Sequence, residues 1–158
     1  NTVDANIARS FAARQTDVAM FYDSKGMYFL FDTPSDGRED VFTLILRSND
    51  APARRFVTDA PSDGFQVKKI SCKGRDFVQC FVSFNALKTN CPKVKTSWKW
   101  NILRSNSKEN VSLIPLWDPT APWNELELGT LRFTTETAPI VRMNNIRNID
   151  GNGKFSFD

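Results

Sequence analysis

Two tryptophans, Trp117 and Trp123, lie in a segment between residues 114 and 125 that also contains three prolines. Proline restricts the backbone, so an aromatic ring beside it can be held toward solvent at a low entropic cost. A ring held in this way can stack on the flat, apolar face of a sugar. The alternative is that both rings only cap one end of the fold.

Asn101 and Arg104 supply the polar chemistry that such a site needs. A side-chain amide and a guanidinium offer paired hydrogen-bond donors, and the amide adds an acceptor, which suits the hydroxyl groups of a sugar. Together with the two tryptophans they form the predicted ligand-binding set. Two structural alternatives stay open: Asn101 bonds only a neighbouring loop, and Arg104 pairs with an acid such as Glu109.

Histidine is absent from the sequence. Ser-His-Asp and Cys-His nucleophile pairs, His-ligated haem and His-containing zinc sites are therefore excluded. An enzyme that uses carboxylates alone remains an alternative, with Asp118 and Glu125 as the first pair to test. We predict that the isolated domain is not an enzyme and has no catalytic residues.

The three cysteines, Cys72, Cys80 and Cys91, match no metal-binding spacing. One disulfide with one free thiol, and three buried thiols, are both compatible with the sequence. A bridge between Cys72 and Cys80 is disfavoured, because a tight hairpin at residues 73–76 would set Cys72 opposite Phe77.

Acidic side chains cluster in two predicted loops, and calcium is the cofactor that such oxygen ligands would bind. The alternative is that they are solvated turn residues. A motif at residues 150–153 is similar to part of a calcium loop but lacks its spacing and closing glutamate, so we interpret it as a linker or a terminal turn. The clustered acids are Asp36, Glu39, Asp40, Asp59 and Asp63.

The length of 158 residues is that of one domain, so residues 1–158 are treated as a single domain in which 134–158 form a linker or a terminal strand. The net charge of +3 is small and spread along the chain, which predicts no nucleic-acid partner. No apolar run is long enough for a membrane span. The chain begins at Asn1 without methionine, which favours processing or excision from a larger protein with further domains.

The elements that must position these residues are strands. Apolar residues recur with a period of two or in short runs, and Gly, Pro, Asp and Asn interrupt them at short intervals. This rhythm predicts an all-β domain, an antiparallel β-sandwich or jelly roll of two packed sheets, with a lipocalin-type barrel as the competing architecture. The predicted strands are Val18 to Tyr22, Met27 to Phe31, Val41 to Leu46, Arg55 to Thr58, Phe65 to Ser71, Phe77 to Phe84, Trp98 to Leu103 and Leu126 to Phe133.

Two further tryptophans, Trp98 and Trp100, alternate with polar residues along one predicted strand. Alternation places them on the same face as Ile102, which is the character of a core face. We therefore interpret both rings as packing residues, not as ligand contacts.

Several short stretches of the sequence follow one another in a characteristic order. They are Thr16 to Val18 with Tyr22 and Asp23, Met27 and Tyr28, Phe81 to Leu87, Trp98 to Arg104, Trp117 to Pro119 and Leu128 to Phe133. Their counterparts elsewhere read T-x-V, YD, LY, IP-x-x-x-L, W-x-F-N-I-x-R, W-x-P and F-G-x-L-x-F. In this order the chain resembles the family 9 carbohydrate-binding modules, within a DOMON-like β-sandwich superfamily.

The resemblance implies a non-catalytic module that binds a carbohydrate or polysaccharide, within a larger protein that is extracellular, periplasmic or at the cell surface. One departure is Thr43, which stands where related domains carry an acid in a D-x-V-E-I-F strand. The acid usually found before the IP motif is missing as well. Both losses keep a different function open: a structural or protein-interaction module that no longer binds sugar.

Overall fold

A computed structural model describes residues 16–35, 37–49, 51–107, 110–112 and 128–133, and the backbone of 141–142. These ranges contain strands joined by turns, and none of the described segments forms a helix that could cross a membrane. The strands are β1 (Asp17–Tyr22), β2 (Gly26–Pro34), β3 (Val41–Arg47), β4 (Arg54–Val57), β5 (Phe65–Cys72), β6 (Arg75–Ser83), β7 (Ser97–Ser105), β8 (Asn110–Ser112), β9 (Gly129–Arg132) and β10 (Val141–Arg142).

The strands form two antiparallel sheets. The first sheet has the order β10-β1-β2-β6-β5, and the second has the order β4-β3-β7-β8, with β9 also paired to β7. The inner faces pack together, as shown by the rings of Phe31 on β2 and Phe42 on β3, which stack across the interface with centroids 3.9 Å apart. The predicted antiparallel sandwich is confirmed, and the competing barrel is wrong for the described residues.

Side-chain alternation builds the core of the sandwich. On β7 the inner face carries Trp98, Trp100 and Ile102, all of them buried. The Trp98 ring meets Phe84 and Phe133 edge to face, at centroid distances of 6.1 and 4.7 Å. The prediction that both tryptophans are packing residues is confirmed.

The tetrapeptide Pro-Ser-Asp-Gly, whose residues are typical of turns, occurs twice in the sequence, at residues 34–37 and 61–64. Their glycines, Gly37 and Gly64, have φ values of 81° and 82°, a conformation that a residue with a Cβ adopts only with strain. The short segment from Asn85 to Thr89, which follows β6, is an irregular turn. Its hydrogen bonds run from the Thr89 N–H to the Phe84 carbonyl and from the Lys88 N–H to the Asn85 carbonyl.

All three thiols are free. The β5–β6 hairpin is tighter than predicted, because Lys73 and Gly74 both have positive φ and place Cys72 opposite Arg75. Cys72 and Cys91 are exposed, so the interpretation of three buried thiols is wrong. Burial in the core raises the pKa of the Cys80 thiol from 9.0 to about 12.

Thiol labelling at pH 8 is expected to separate Cys80 from the other two cysteines. Cys72 and Cys91 should react readily, while Cys80 should react at least about a hundredfold more slowly because it needs an opening step that costs several kcal/mol. The contribution of the protonated Cys80 thiol to stability should be complete below pH 9.0 and decline as the pH rises toward about 12.

Mass spectrometry of alkylated peptides measures the three rates in one sample. In concentrated urea the three rates should converge. Labelling of Cys80 as fast as that of Cys72 in the native protein would contradict the buried position.

Candidate functional site

Asn101 lies on the outer face of the second sheet, at a break in the pairing of β7. One edge of β7 pairs with β9 at residues 97–100 and with β8 at 103–105, so that the two partner strands leave Asn101 and Ile102 between them. The Asn101 amide bridges this break: its Oδ1 accepts the Ile102 N–H at 2.8 Å, and its Nδ2 donates to Ser112 Oγ on β8 at 2.9 Å. The side chain is fully buried.

This geometry bears on the alternative proposed for Asn101. Its amide serves the sheet itself, by accepting one backbone N–H and by joining β7 to β8. Ile45, directly opposite on β3, is also buried, so this part of the outer face is covered. Sugar binding by Asn101 remains a prediction, and its structural role is now explicit.

Arg104 lies on the inner face of the same strand and is fully buried. Its Nη1 donates to Thr16 Oγ1, and the Thr16 and Thr33 hydroxyls are 3.1 Å apart. Both threonines are buried as well. These three side chains form a polar cluster between the sheets, which joins β7 to the residue that precedes β1.

The structure therefore does not bring Asn101 and Arg104 together. Residues an odd number of positions apart on a strand point to opposite faces, so the sequence already contained this signal. Trp117 and Trp123 lie outside the described residues, as do Asp118, Glu125 and Glu109. Their predicted roles stay predictions.

Thr43 occupies the outer face of β3, where it is half-buried between Val57 on β4 and Leu103 on β7. A carboxylate here would lie on the same face as Asn101. Threonine offers one hydroxyl in its place and no charge.

The predicted calcium ligands do not converge where the structure describes them. Asp40 is buried and accepts a hydrogen bond from Asn106 Nδ2 at 3.0 Å, and Glu39 Oε1 lies 3.6 Å from Lys69 Nζ. Asp36 is outside the described ranges, and within them no three His, Cys, Asp or Glu side chains are grouped closely enough to hold a metal. Calcium binding remains an untested prediction.

An aromatic row crosses the solvent-facing side of the first sheet. It consists of Phe21 on β1, Tyr28 on β2 and Phe81 on β6, which are cross-strand neighbours. The Phe21 and Tyr28 rings are parallel to within 7° with centroids 4.5 Å apart, and Phe81 follows at 4.8 Å. Phe21 is 58% exposed. Sequence reasoning missed this row, because aromatic residues at alternate positions look like core until the register joins them across three strands.

The carboxylate of Asp23 holds the Tyr28 hydroxyl of the aromatic row in place. Asp23 Oδ1 accepts the backbone N–H of Lys25 at 2.7 Å and of Gly26 at 3.1 Å, and its Oδ2 accepts the Tyr28 hydroxyl at 2.9 Å. Donation by the Lys25 N–H is the main reason why the pKa of Asp23 is lowered. The hydrogen bond to Asp23 raises the pKa of Tyr28. At neutral pH the pair is a charged acceptor beside a neutral hydroxyl.

A cavity of about 390 Å³, which we name the turn pocket, adjoins the row at Phe81. The β1–β2 turn and the turn that follows β6 form its walls, held together by the Phe84 N–H, which donates to the Lys25 carbonyl at 3.0 Å. The Phe81 ring packs against Gly26, where a Cβ would lie only 2.6 Å from the ring edge. The lining residues are Ser24, Lys25, Phe81, Ser83, Phe84, Asn85, Thr89, Asn90 and Cys91.

Two solved structures share this arrangement of sheets. Both are family 9 carbohydrate-binding modules from Caldicellulosiruptor kristjanssonii, one in complex with cellotriose and one in complex with glucose. The chain has the fold of a family 9 carbohydrate-binding module. The cellotriose complex matches with a TM-score of 0.57 at 12% identity over 78% of this chain and 77% of that one. The glucose complex matches with a TM-score of 0.57 at 13% identity over 79% and 81%.

The family 9 fold confirms the resemblance that the sequence motifs indicated. At these identities the likeness establishes the fold and does not assign ligand-binding residues. No family profile and no curated protein matches the sequence. Both structural neighbours are described as binding modules, in agreement with the prediction of a non-catalytic domain.

Proposed function

We propose that this domain is a non-catalytic carbohydrate-binding module. The observation that carries the proposal is the family 9 fold, shared with two modules that hold cellotriose and glucose. Neutral glucose-based oligosaccharides and polysaccharides are therefore the first ligands to test. Association with other domains of a larger exported protein is part of the same proposal.

Trp117 and Trp123 are the proposed stacking residues. The segment that carries them leaves β8 at Ser112 and returns before β9 at Gly129, and both strands pair with β7. Its two ends are thus anchored to the strand of Asn101, whose amide contacts Ser112. This anchoring supports a ligand site beside the outer face of the second sheet.

Substituting Trp117→Ala is expected to weaken polysaccharide retention about tenfold, since an aromatic contact of about 1.4 kcal/mol corresponds to a factor of ten in affinity. The double variant with Trp123→Ala should be retained more weakly than either single variant. Affinity electrophoresis in gels that contain soluble glucans, with cellotriose as competitor, measures the effect. Val94→Ala, at a side chain that is 50% exposed, is the matched control.

A protein-interaction module is the second candidate. Thr43, in place of the acid expected from the resemblance, and the engagement of the Asn101 amide within the sheet both favour it. Absence of retention on every polysaccharide, in a protein whose folding is verified, would select this candidate. Release of sugar products would instead indicate an enzyme and direct attention to Asp118 and Glu125.

A further inference from the structure

We propose that the turn pocket and the adjoining aromatic row form a second sugar site, which holds an uncharged pyranose ring on the first sheet. The choice of sugar as the ligand class rests on the proposed function. The location does not, because the described residues that line the pocket belong to the first sheet and to the turns that follow its strands.

The lining chemistry fits a neutral, hydroxyl-rich ligand. Side-chain amides of Asn85 and Asn90 and hydroxyls of Ser24 and Thr89 offer donors and acceptors around an aromatic wall, Phe81. A pocket with a few converging polar groups beside an apolar wall is typical of small-molecule sites. Its volume of about 390 Å³ lies within the usual range for such sites and has room for one sugar ring.

The charges of the described side chains around the turn pocket do not suit a phosphate group or a metal ion. Among the described lining residues Lys25 is the one cationic side chain, and the carboxylate of Asp23 lies in the same turn. A phosphate group would require several cationic donors, and a metal ion would require several carboxylates. A ligand without charge matches this nearly balanced pair.

The aromatic row extends the pocket at Phe81. Phe21 stacks on the Tyr28 ring from the side away from Phe81, so it supports the row that borders the pocket. The Tyr28 hydroxyl is held by Asp23 and cannot swing away from the row without losing that hydrogen bond. A sugar that enters the pocket thus meets groups whose positions are already fixed, which lowers the entropic cost of binding.

Cys91 provides a direct test, because its thiol is exposed and lines the pocket. Cys72 is equally free and exposed but lies in the β5–β6 hairpin, outside the lining, so it is an internal reference. Iodoacetamide labelling is measured by mass spectrometry with increasing cellotriose or glucose. The Cys91 rate should fall by a factor of 1 + [L]/Kd, about threefold when the sugar is at twice its Kd, with Cys72 unchanged.

Substitutions in the turn pocket and in the aromatic row test where the sugar binds. The double substitution Asn85→Ala and Asn90→Ala should abolish protection of Cys91, and Phe21→Ala should weaken it. Ile70→Ala is the matched control for Phe21→Ala, because Ile70 is an exposed apolar residue on the same face of the first sheet and is 39% exposed. It should leave protection intact.

Three outcomes separate the two proposals. Protection of Cys91 that persists in the Trp117→Ala, Trp123→Ala double variant supports a second site. Retention on polysaccharide without protection of Cys91, or protection that is lost in that double variant, overturns the second site and leaves the proposed function standing. Neither retention nor protection overturns both.

Discussion

Replacing Trp100 with alanine is expected to lower the free energy of unfolding by about 3–5 kcal/mol. The indole is fully buried at the centre of β7, between Leu46 on β3 and Gly129 on β9. Removing it takes away a large apolar surface and leaves a cavity that close-packed neighbours can fill only in part. Urea unfolding followed by circular dichroism measures the loss.

The control for this prediction is Val94→Ala, because Val94 is apolar and 50% exposed. Its substitution should change the unfolding free energy by less than about 0.5 kcal/mol. If Trp100→Ala costs no more than this control, the interior position of β7 is contradicted. If it also unfolds the protein at room temperature, the milder Trp100→Phe gives the graded result that the packing argument requires.

The second large effect concerns Arg104, for which we expect Arg104→Ala to cost about 3 kcal/mol of unfolding free energy. The guanidinium is fully buried and donates to Thr16, whose hydroxyl lies beside that of Thr33. Its loss leaves buried hydroxyls without their charged donor and opens a void between the sheets. Thermal or urea unfolding of the purified variant reports the change.

Two further variants test whether the loss of stability is specific to the buried guanidinium of Arg104. Arg132→Ala removes a solvent-exposed arginine from β9 and should be nearly neutral. Arg104→Met keeps most of the volume and should cost less than alanine. A variant Arg104→Ala that keeps full stability but loses sugar retention would contradict the structural role and support direct contact with the ligand.

The sequence predicted the two-sheet fold because the strands that build the core are long enough to show alternation. β7 illustrates this, since its tryptophans repeat every second residue. The strands β8 and β10 were missed, because β8 has three residues and β10 has two, and neither length carries a periodic signal. The pairing register between strands could not be predicted from the sequence either. It is this register that aligns Phe21, Tyr28 and Phe81 in a row.

The candidate site was predicted less well than the fold, for a reason that Arg104 shows. Arg104 was assigned to ligand binding because a guanidinium offers paired donors to the hydroxyl groups of a sugar. Its even spacing from Trp100 places it on the core face, where the structure shows it buried. The assigned contact with a sugar stays a prediction. The role of the Asn101 amide within the sheet could not be predicted from the sequence. The gap between β8 and β9 along β7 is visible only in the structure.

Among the described strands β5 pairs only with β6, so it is an edge strand of the first sheet. The backbone groups on its outer side have no partner strand there. Lys68 and Lys69 on this strand are both exposed, one on each face of the sheet. A strand protected by lysines resists joining its like in another copy, because the ammonium groups would be forced together. Copies at high local concentration would therefore stay individually folded, without joining edge to edge into fibrils.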